Sequence, residues 1–395
     1  NLAGGSASNT SSSGFTKTNL MSYLARANYV YKDKYFVTVS VRFDGSSKLA
    51  EGNKWGSFPS AAVAWRVSGE EFMKNLSWLS NLKLRLSYGQ TGNDNVSAYQ
   101  TRGSISGAKY YTFGSSESIG YVPNNLRNLD LGWERTTEYN VGLDFGFLNN
   151  RISGSIDIYK AETRDILMNR VIPSINGYAS VMENIGKTES TGVDLTLSTV
   201  NIQNKNFSWF SDFSLSHNRE KIKELASGQL KDEANAWFVG EPFKVFYDYK
   251  KEGIWQLGEE AAAAANGQEP GDIKVQDVDG NGVITTDDRI IYSQRPDVTF
   301  GFNNTFNYKG FDLSVFLYAR LGQWIAYDYN TTYRINALEN GGNVDYWTPE
   351  NPTNAFPRPN KSKSYTQVTY YSTLKYEGKH SASCVFFSPL FLPTF

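Results

Sequence analysis

The sequence predicts an all-β fold: a partial antiparallel transmembrane β-barrel with long extracellular loops. Three observations point there. Side chains alternate between apolar and polar over stretches of about ten residues, aromatics are abundant, and short turns alternate with long connections. Tyr, Phe and Trp number 25, 24 and 9 and make up 15% of the 395 residues, whereas hydrophobic residues overall reach only 40%. Strands with one greasy face and one wet face have this composition.

Taken in order, the alternation begins near 22–31 and continues in KYFVTVSVRF. There Tyr35, Val37, Val39, Val41 and Phe43 share one face, and Lys34, Phe36, Thr38, Ser40 and Arg42 share the other. It returns near 58–67, 80–89 and 137–147. In RISGSIDIYK, Ile152, Ile156 and Ile158 alternate with Arg151, Ser153, Ser155 and Asp157. A further segment lies near 190–199, and in FSWFSDFSLSHN Phe207, Trp209, Phe213 and Leu215 alternate with Ser208, Asp212, Ser214 and Ser216. The last segments fall at 298–308, 311–320 and 366–376. That is roughly a dozen strands, close to the 9–11 residues a tilted strand needs to cross a membrane and longer than the 5–6 usual in soluble sheets.

Asn149-Asn150 and Lys309-Gly310 supply tight turns, because Asn and Gly tolerate positive φ. The connections near 91–133, 161–189, 218–242, 247–296 and 321–365 are long and polar. Tyr31, Tyr35, Trp65, Tyr88, Trp209 and Tyr318 lie at strand ends, where membrane interfaces collect aromatic rings. Patterning alone leaves a soluble β-sandwich or propeller open, and the absence of a repeat of about 40–50 residues weakens the propeller.

Lys plus Arg total 39 and Asp plus Glu total 40, a net charge of −1. That balance argues against nucleic acid as a partner. Cys384 is the single cysteine, so no intrachain disulfide forms, which suits both the cytosol and a bacterial surface. Apolar runs are too short for a membrane-spanning helix. The opening NLAGGSASNT has no Met and no signal peptide and reads as the inside of a longer gene product.

The stretch DVDGNGVITTDD, 277–288, matches the spacing of a calcium loop position by position. Asp277, Asp279 and Asn281 occupy positions 1, 3 and 5, Gly282 allows the sharp turn, and Val283 offers a backbone carbonyl. Ile284 packs inward, Thr285 ligates directly or through water, and Asp288 closes the loop with a shorter reach than Glu. The expected metal ligands are therefore Asp277, Asp279, Asn281, Val283, Thr285 and Asp288, the ion is a structural Ca²⁺, and no organic cofactor is implied. PGDIKVQ leads in as an extended segment rather than a helix, so the loop is a cassette that stiffens a long connection. The same stretch also reads as an Asp/Asn/Gly turn without metal. GEEAAAAANGQ before it is expected to be a short surface helix.

Catalytic constellations are absent from the sequence. The two histidines, His217 and His380, have no second His or Cys at metal spacing. No G-x-S-x-G elbow and no phosphate-cradling P-loop occur. Glu70-Glu71 and Glu259-Glu260 are neighbours that point apart, so the chain is not read as an enzyme. Trp237, Phe238, Tyr247, Trp255, Trp324, Tyr327 and Trp347 offer faces for a sugar or peptide, but packing and interface-girdle roles account for them better, so they are not taken as site residues.

The wording of residues 23–93 is more specific. RANYVYKDKY, RFDGSSK, WGSFPSAAVAWRVS and LKLRLSYGQTGN resemble the SusC/RagA family of TonB-dependent (TonB-linked) outer-membrane transporters of Bacteroidetes. WERTTEYNVGLDFGFLNNRISGSIDIYKAETRDIL, NIGKTESTGVDLTL, PGDIKVQDVDGNGVITTDDR and FGFNNTFNYKGFDLSVFLYARLG follow in the expected order, so the resemblance covers residues 15–376. It implies the C-terminal part of a plugged barrel of about 22 strands, embedded in outer-membrane lipids. It implies import of a glycan, oligosaccharide or peptide with a SusD-like lipoprotein lid. Plug, TonB-contacting box and early strands would belong upstream of residue 1, so TonB would act through that part and this chain alone would transport nothing.

The resemblance assigns 1–376 to the barrel and sets 377–395 apart as an atypical tail. After Tyr376 the alternation dissolves into EGKHSASCVFFSPLFLPTF, which reads as an altered frame, a truncated gene or a divergent last strand. The alternatives to the transporter are a soluble or surface-exposed calcium-stabilised carbohydrate-binding β-protein and a non-functional gene fragment.

Overall fold

The structure is a computed structural model that describes residues 14–326, 345–358 and 375–389, apart from 115, 173, 174, 176 and 179. Eleven strands form one sheet in which every strand pairs antiparallel with its sequence neighbours in the sheet. They are β1 Leu20–Tyr31, β2 Tyr35–Ser46, β3 Trp55–Arg66, β4 Leu79–Asn93, β5 Glu134–Phe147 and β6 Ile152–Arg164. The meander continues with β7 Lys187–Gln203, β8 Phe207–Glu224, β9 Val298–Tyr308, β10 Phe311–Ala326 and β11 Lys375–Pro389. Their lengths run from 11 to 18 residues, as membrane crossing requires. Among the described residues this is a single wall, not two packed sheets. No helix among them is long and apolar enough to span a membrane.

Connections follow the expected asymmetry. Lys32 and Asp33 join β1 to β2 with φ of 53° and 52°, and Lys309 and Gly310 join β9 to β10 with φ of 47° and 86°. Between β5 and β6, Leu148, Asn149 and Asn150 all sit in the left-handed region, so the turn begins one residue before the predicted pair. The long loops leave from the opposite ends of the strands. Of the expected strand near 366–376, residues 366–374 lie outside the described residues, and so do 390–395 of the expected tail. The backbone of 375–389 pairs with β10, from Ala326↔Lys375 to Phe311↔Pro389.

Register sorts the wall into two faces. Tyr29, Val37, Val63, Leu86, Val141, Ile158 and Val193 lie side by side across β1 to β7. All of them are exposed, as a lipid-facing belt must be in the isolated chain. On the opposite face Arg85, Gly142, Asp157 and Asp194 form a polar row. Arg85 reaches Asp144 at 2.9 Å and Asp157 at 2.8 Å. A Cβ at Gly142 would lie 2.6 Å from the Arg85 guanidinium carbon, so only glycine leaves room for this fan.

Aromatic rings border the belt. Tyr31–Tyr35, Trp78–Phe147 and Trp209–Phe306 stack near the short turns, at centroid separations of 6.3, 5.7 and 5.6 Å. Tyr88–Tyr139 and Tyr23–Trp55 stand toward the loops, at 5.2 and 5.9 Å. From Tyr139 to Phe147 the chain advances eight residues, roughly 26 Å along the strand, which suits an apolar band about 25 Å tall. Tyr318 departs from expectation. It pairs with Gly301 and stacks on Phe316, so it faces the polar side rather than the lipid. The alternation of β10 carries apolar residues on both faces, which hides the parity.

Burial concentrates outside the wall. Leu49, Ala50, Phe58, Val96, Leu131 and Trp133 form one cluster at the loop ends of β2 to β5. Ile166, Met168, Ile222 and Leu225 form a second, and Ile273 with Val275 a third.

Candidate metal centre and the loop layer that holds it

The connection between β8 and β9 folds into its own small structure. Val245–Tyr249 pairs with Arg289–Ser293, Lys251–Ile254 pairs with Ile273–Val275, and the alanine-rich stretch forms a helix over Glu260–Ala265. The helix is short because Gly258 and Gly267 bracket it with positive φ. Residues 345–358 return to brace this unit. Arg358 pairs with Asp272 at 3.2 Å and with Glu269 at 2.5 Å, and Asp272 is fully buried. A buried carboxylate without that guanidinium would be costly.

The 277–288 loop hangs from this frame. The segment before it is extended, as expected, and Ile273 and Val275 pin it to the third cluster, against which Ile284 packs. Gly280 and Gly282 turn the chain with φ of 73° and 83°. The loop brings Asp277, Asp279 and Asp288 together, with one carboxylate oxygen of each inside a 4.8 Å sphere of mutual distance. Asp277 accepts from the Gly280 and Gly282 N–H groups at 2.8 and 2.7 Å. The Gly282 N–H, foremost, holds its carboxyl below the usual range. Asp288 is fully buried and accepts from Val278 N–H at 2.8 Å and Thr285 N–H at 2.7 Å.

The remaining expected ligands are placed differently. Asn281 donates from Nδ2 to Asp279 at 2.8 Å and accepts from Val283 N–H at 2.7 Å. Val283 is exposed. The Thr285 hydroxyl accepts from Asp287 N–H at 3.1 Å and caps the turn Thr286–Asp288. Three carboxylates thus converge and could hold a cation, while Asn281 and Thr285 shape the loop around them.

The aromatic candidates among the described residues make packing contacts in this layer or against it. Trp255 is buried and donates from Nε1 to Gln268 at 2.6 Å, and Trp347 is buried and donates to Gln256 at 2.8 Å. Phe238 is buried against Tyr247, whose ring carries Arg289 at 4.3 Å. Trp237 packs on Phe243, and Trp324 meets Tyr292 edge-on at 4.7 Å. Tyr327 lies outside the described residues. No local pattern marks the Arg358–Asp272 brace, since its members are 86 positions apart and lie in unpatterned loops.

Comparison with known proteins accords with this geometry. A family model described as TonB dependent receptor-like, beta-barrel, matches residues 1–244. TonB-dependent receptor P3 of Formosa agariphila is 35% identical over 380 residues, covering 91% of this chain and 37% of that protein. TonB-dependent receptor SusC of Bacteroides thetaiotaomicron is 35% identical over 335 residues, covering 80% of this chain and 32% of that protein. The RagAB peptide importer in its "open-open" state superposes with a TM-score of 0.70 at 26% identity, over 91% of this chain and 39% of that one. The chain spans between 32% and 39% of the length of these relatives. The matches place the strands in the wall of an outer-membrane β-barrel. The chain belongs to the TonB dependent receptor-like β-barrel family, with SusC/RagA-like relatives over most of its length.

Proposed function

We propose that this chain supplies part of the barrel wall and the extracellular loop layer of an importer for a large nutrient, a glycan, oligosaccharide or peptide. The carrying observation is the register-aligned apolar belt of Val63, Leu86, Val141, Ile158 and Val193 backed by the polar row of Arg85, Asp157 and Asp194. One face suits lipid and the other a hydrated lumen. The peptide option is suggested by the RagAB peptide importer, and the glycan option is what the SusC/RagA family resemblance implies. In this reading ligand is captured under a SusD-like lipoprotein, and TonB drives release through a plug contributed by another part of the receptor.

The loop layer has a matching task. A Ca²⁺ ion held by Asp277, Asp279 and Asp288, with Asn281, Val283 and Thr285 completing the shell once the ion replaces the hydrogen bonds that Asn281 and Thr285 now make within the loop, would stiffen the braced unit where ligand and lid arrive. Loss of the gene tests the reading. A deletion strain should stop growing on one class of polymer, oligosaccharide or peptide, and regain growth with the intact gene but not with a version lacking its TonB-contacting segment. Undiminished growth on every such nutrient would refute it.

A further inference from the structure

Above the apolar belt the lipid-facing side of β5 to β8 changes character. The row next to Val141, Ile158 and Val193 reads Tyr139, Lys160, Thr191 and Arg219. The row above it contains Glu162, Glu189 and Lys221, and the one above that Arg164 and Lys187. At the register shift between Lys187 and Thr188, Glu224 comes opposite Lys187. All these positions share the outward face with the belt, because side chains two residues apart on a strand point the same way.

The charges do not balance. Glu189 lies between Lys160 at 2.9 Å and Lys221 at 3.1 Å. Glu162 binds Lys187 at 2.9 Å and Arg164 more closely. Glu162 and Glu189 each answer two cations, and Arg219 forms no ion pair among the described residues. The side chains of Lys160, Arg164 and Lys221 are 55%, 65% and 43% exposed. The Tyr88–Tyr139 pair marks the edge of the hydrocarbon, so the cations begin at headgroup height. Lys160 and Arg219 face each other across β7, about 9.6 Å apart at the backbone, so their long side chains can converge on one phosphorylated headgroup.

We propose that this face of β6 to β8 binds the phosphate groups of an anionic glycolipid in the outer leaflet. The patch continues the lipid-facing belt without a break, and its excess charge complements a phosphorylated headgroup. The lipid's acyl chains would lie on Ile158 and Val193 while its phosphates meet Lys160, Arg164, Arg219 and Lys221. The glutamates keep the cations spread and erect in the absence of lipid.

The test uses the intact receptor extracted from outer membranes into neutral detergent, with diphosphoryl lipid A and its dephosphorylated form as probes in native mass spectrometry. The phosphorylated probe should stay bound where the dephosphorylated one does not, and inorganic phosphate should not displace it. The triple variant K160Q/R164Q/R219Q should retain about tenfold less. The variant E162Q/E189Q should retain more, and it decides the matter if the triple variant no longer runs as a heat-modifiable barrel. Equal retention of both probes, wild-type retention by the triple variant, or no gain in E162Q/E189Q would each overturn the proposal. A protein partner seated here would give that first pattern.

Discussion

In the wall, Val141 and Ile158 are 48% and 55% exposed in the isolated chain, whereas in the loop layer Leu131 and Ile273 are at most 1% exposed. The wall has backbone ladders and a belt that finds its solvent only in lipid. The loops carry their own cores, buried tryptophans and the Arg358–Asp272 brace. The difference teaches that the two regions depend on different partners. The wall needs the membrane, and the loop layer needs its own long-range contacts. Each should therefore fail separately.

The largest effect is expected in the loop layer. Leu131→Ala should destabilise it by about 2–5 kcal/mol, because the cavity forms where nothing can collapse into it. Limited proteolysis should nick the 94–133 and 165–186 connections while the barrel keeps its heat-dependent gel shift. Loss of that shift would mean that wall and loops fold as one unit.

Ile156→Arg sharpens the comparison from the other side. Ile156 pairs with Leu143, midway between Tyr139 and Phe147, so the change places a charge in the middle of the lipid-facing belt at a cost of about 2–4 kcal/mol, whereas Asp157→Asn, facing the lumen, should cost far less. Urea unfolding in lipid vesicles checks both. Equal costs would show that the two faces are not lipid and lumen.

Calcium removal comes next. With calcium at about a hundred times its dissociation constant, binding stabilises by about 2.7 kcal/mol. Chelation should speed cleavage within 276–289, and Asp279→Asn should cleave at the chelated rate with or without calcium. Calcium-independent cleavage of the wild type would remove the ion from the account.

The smallest effect lies in the connection from Val67 to Trp78 that joins β3 to β4. Glu70 accepts hydrogen bonds from Lys34, Tyr35 and Trp65, Lys34 foremost, and these hold its carboxyl down to about 2. A lowered folded value means the contribution is whole above the ordinary value of 4.5 and fades as pH falls from there toward 2. Glu70→Gln should flatten acid unfolding over that window, and an unchanged acid limb would show that the connection does not contribute.

Legibility follows the same division. The wall could be read from sequence because its information is local: Tyr35, Val37 and Val39 declare a face by spacing alone. The calcium-type loop was readable for the same reason, since its three carboxylates lie within twelve consecutive residues. The loop cores could not be read. Trp133 donates to the Lys54 carbonyl across 79 positions, and Trp347 to Gln256 across 91. Aromatics such as Trp255 and Phe238 carry no local mark that separates a packed ring from a ligand platform. The basic rows carry a local signal as well: Lys160, Glu162 and Arg164 prolong the outward parity of Ile156 and Ile158.

The most direct test of the central claim is a nitroxide scan of the intact receptor in lipid vesicles, with Cys384 replaced by serine. Labels at Val141, Ile158 and Val193 should be relaxed by oxygen, and labels at Asn140, Asp157 and Asp194 by a water-soluble nickel complex. That alternation is what a membrane wall requires. Uniform access to the nickel complex at all six positions would contradict it.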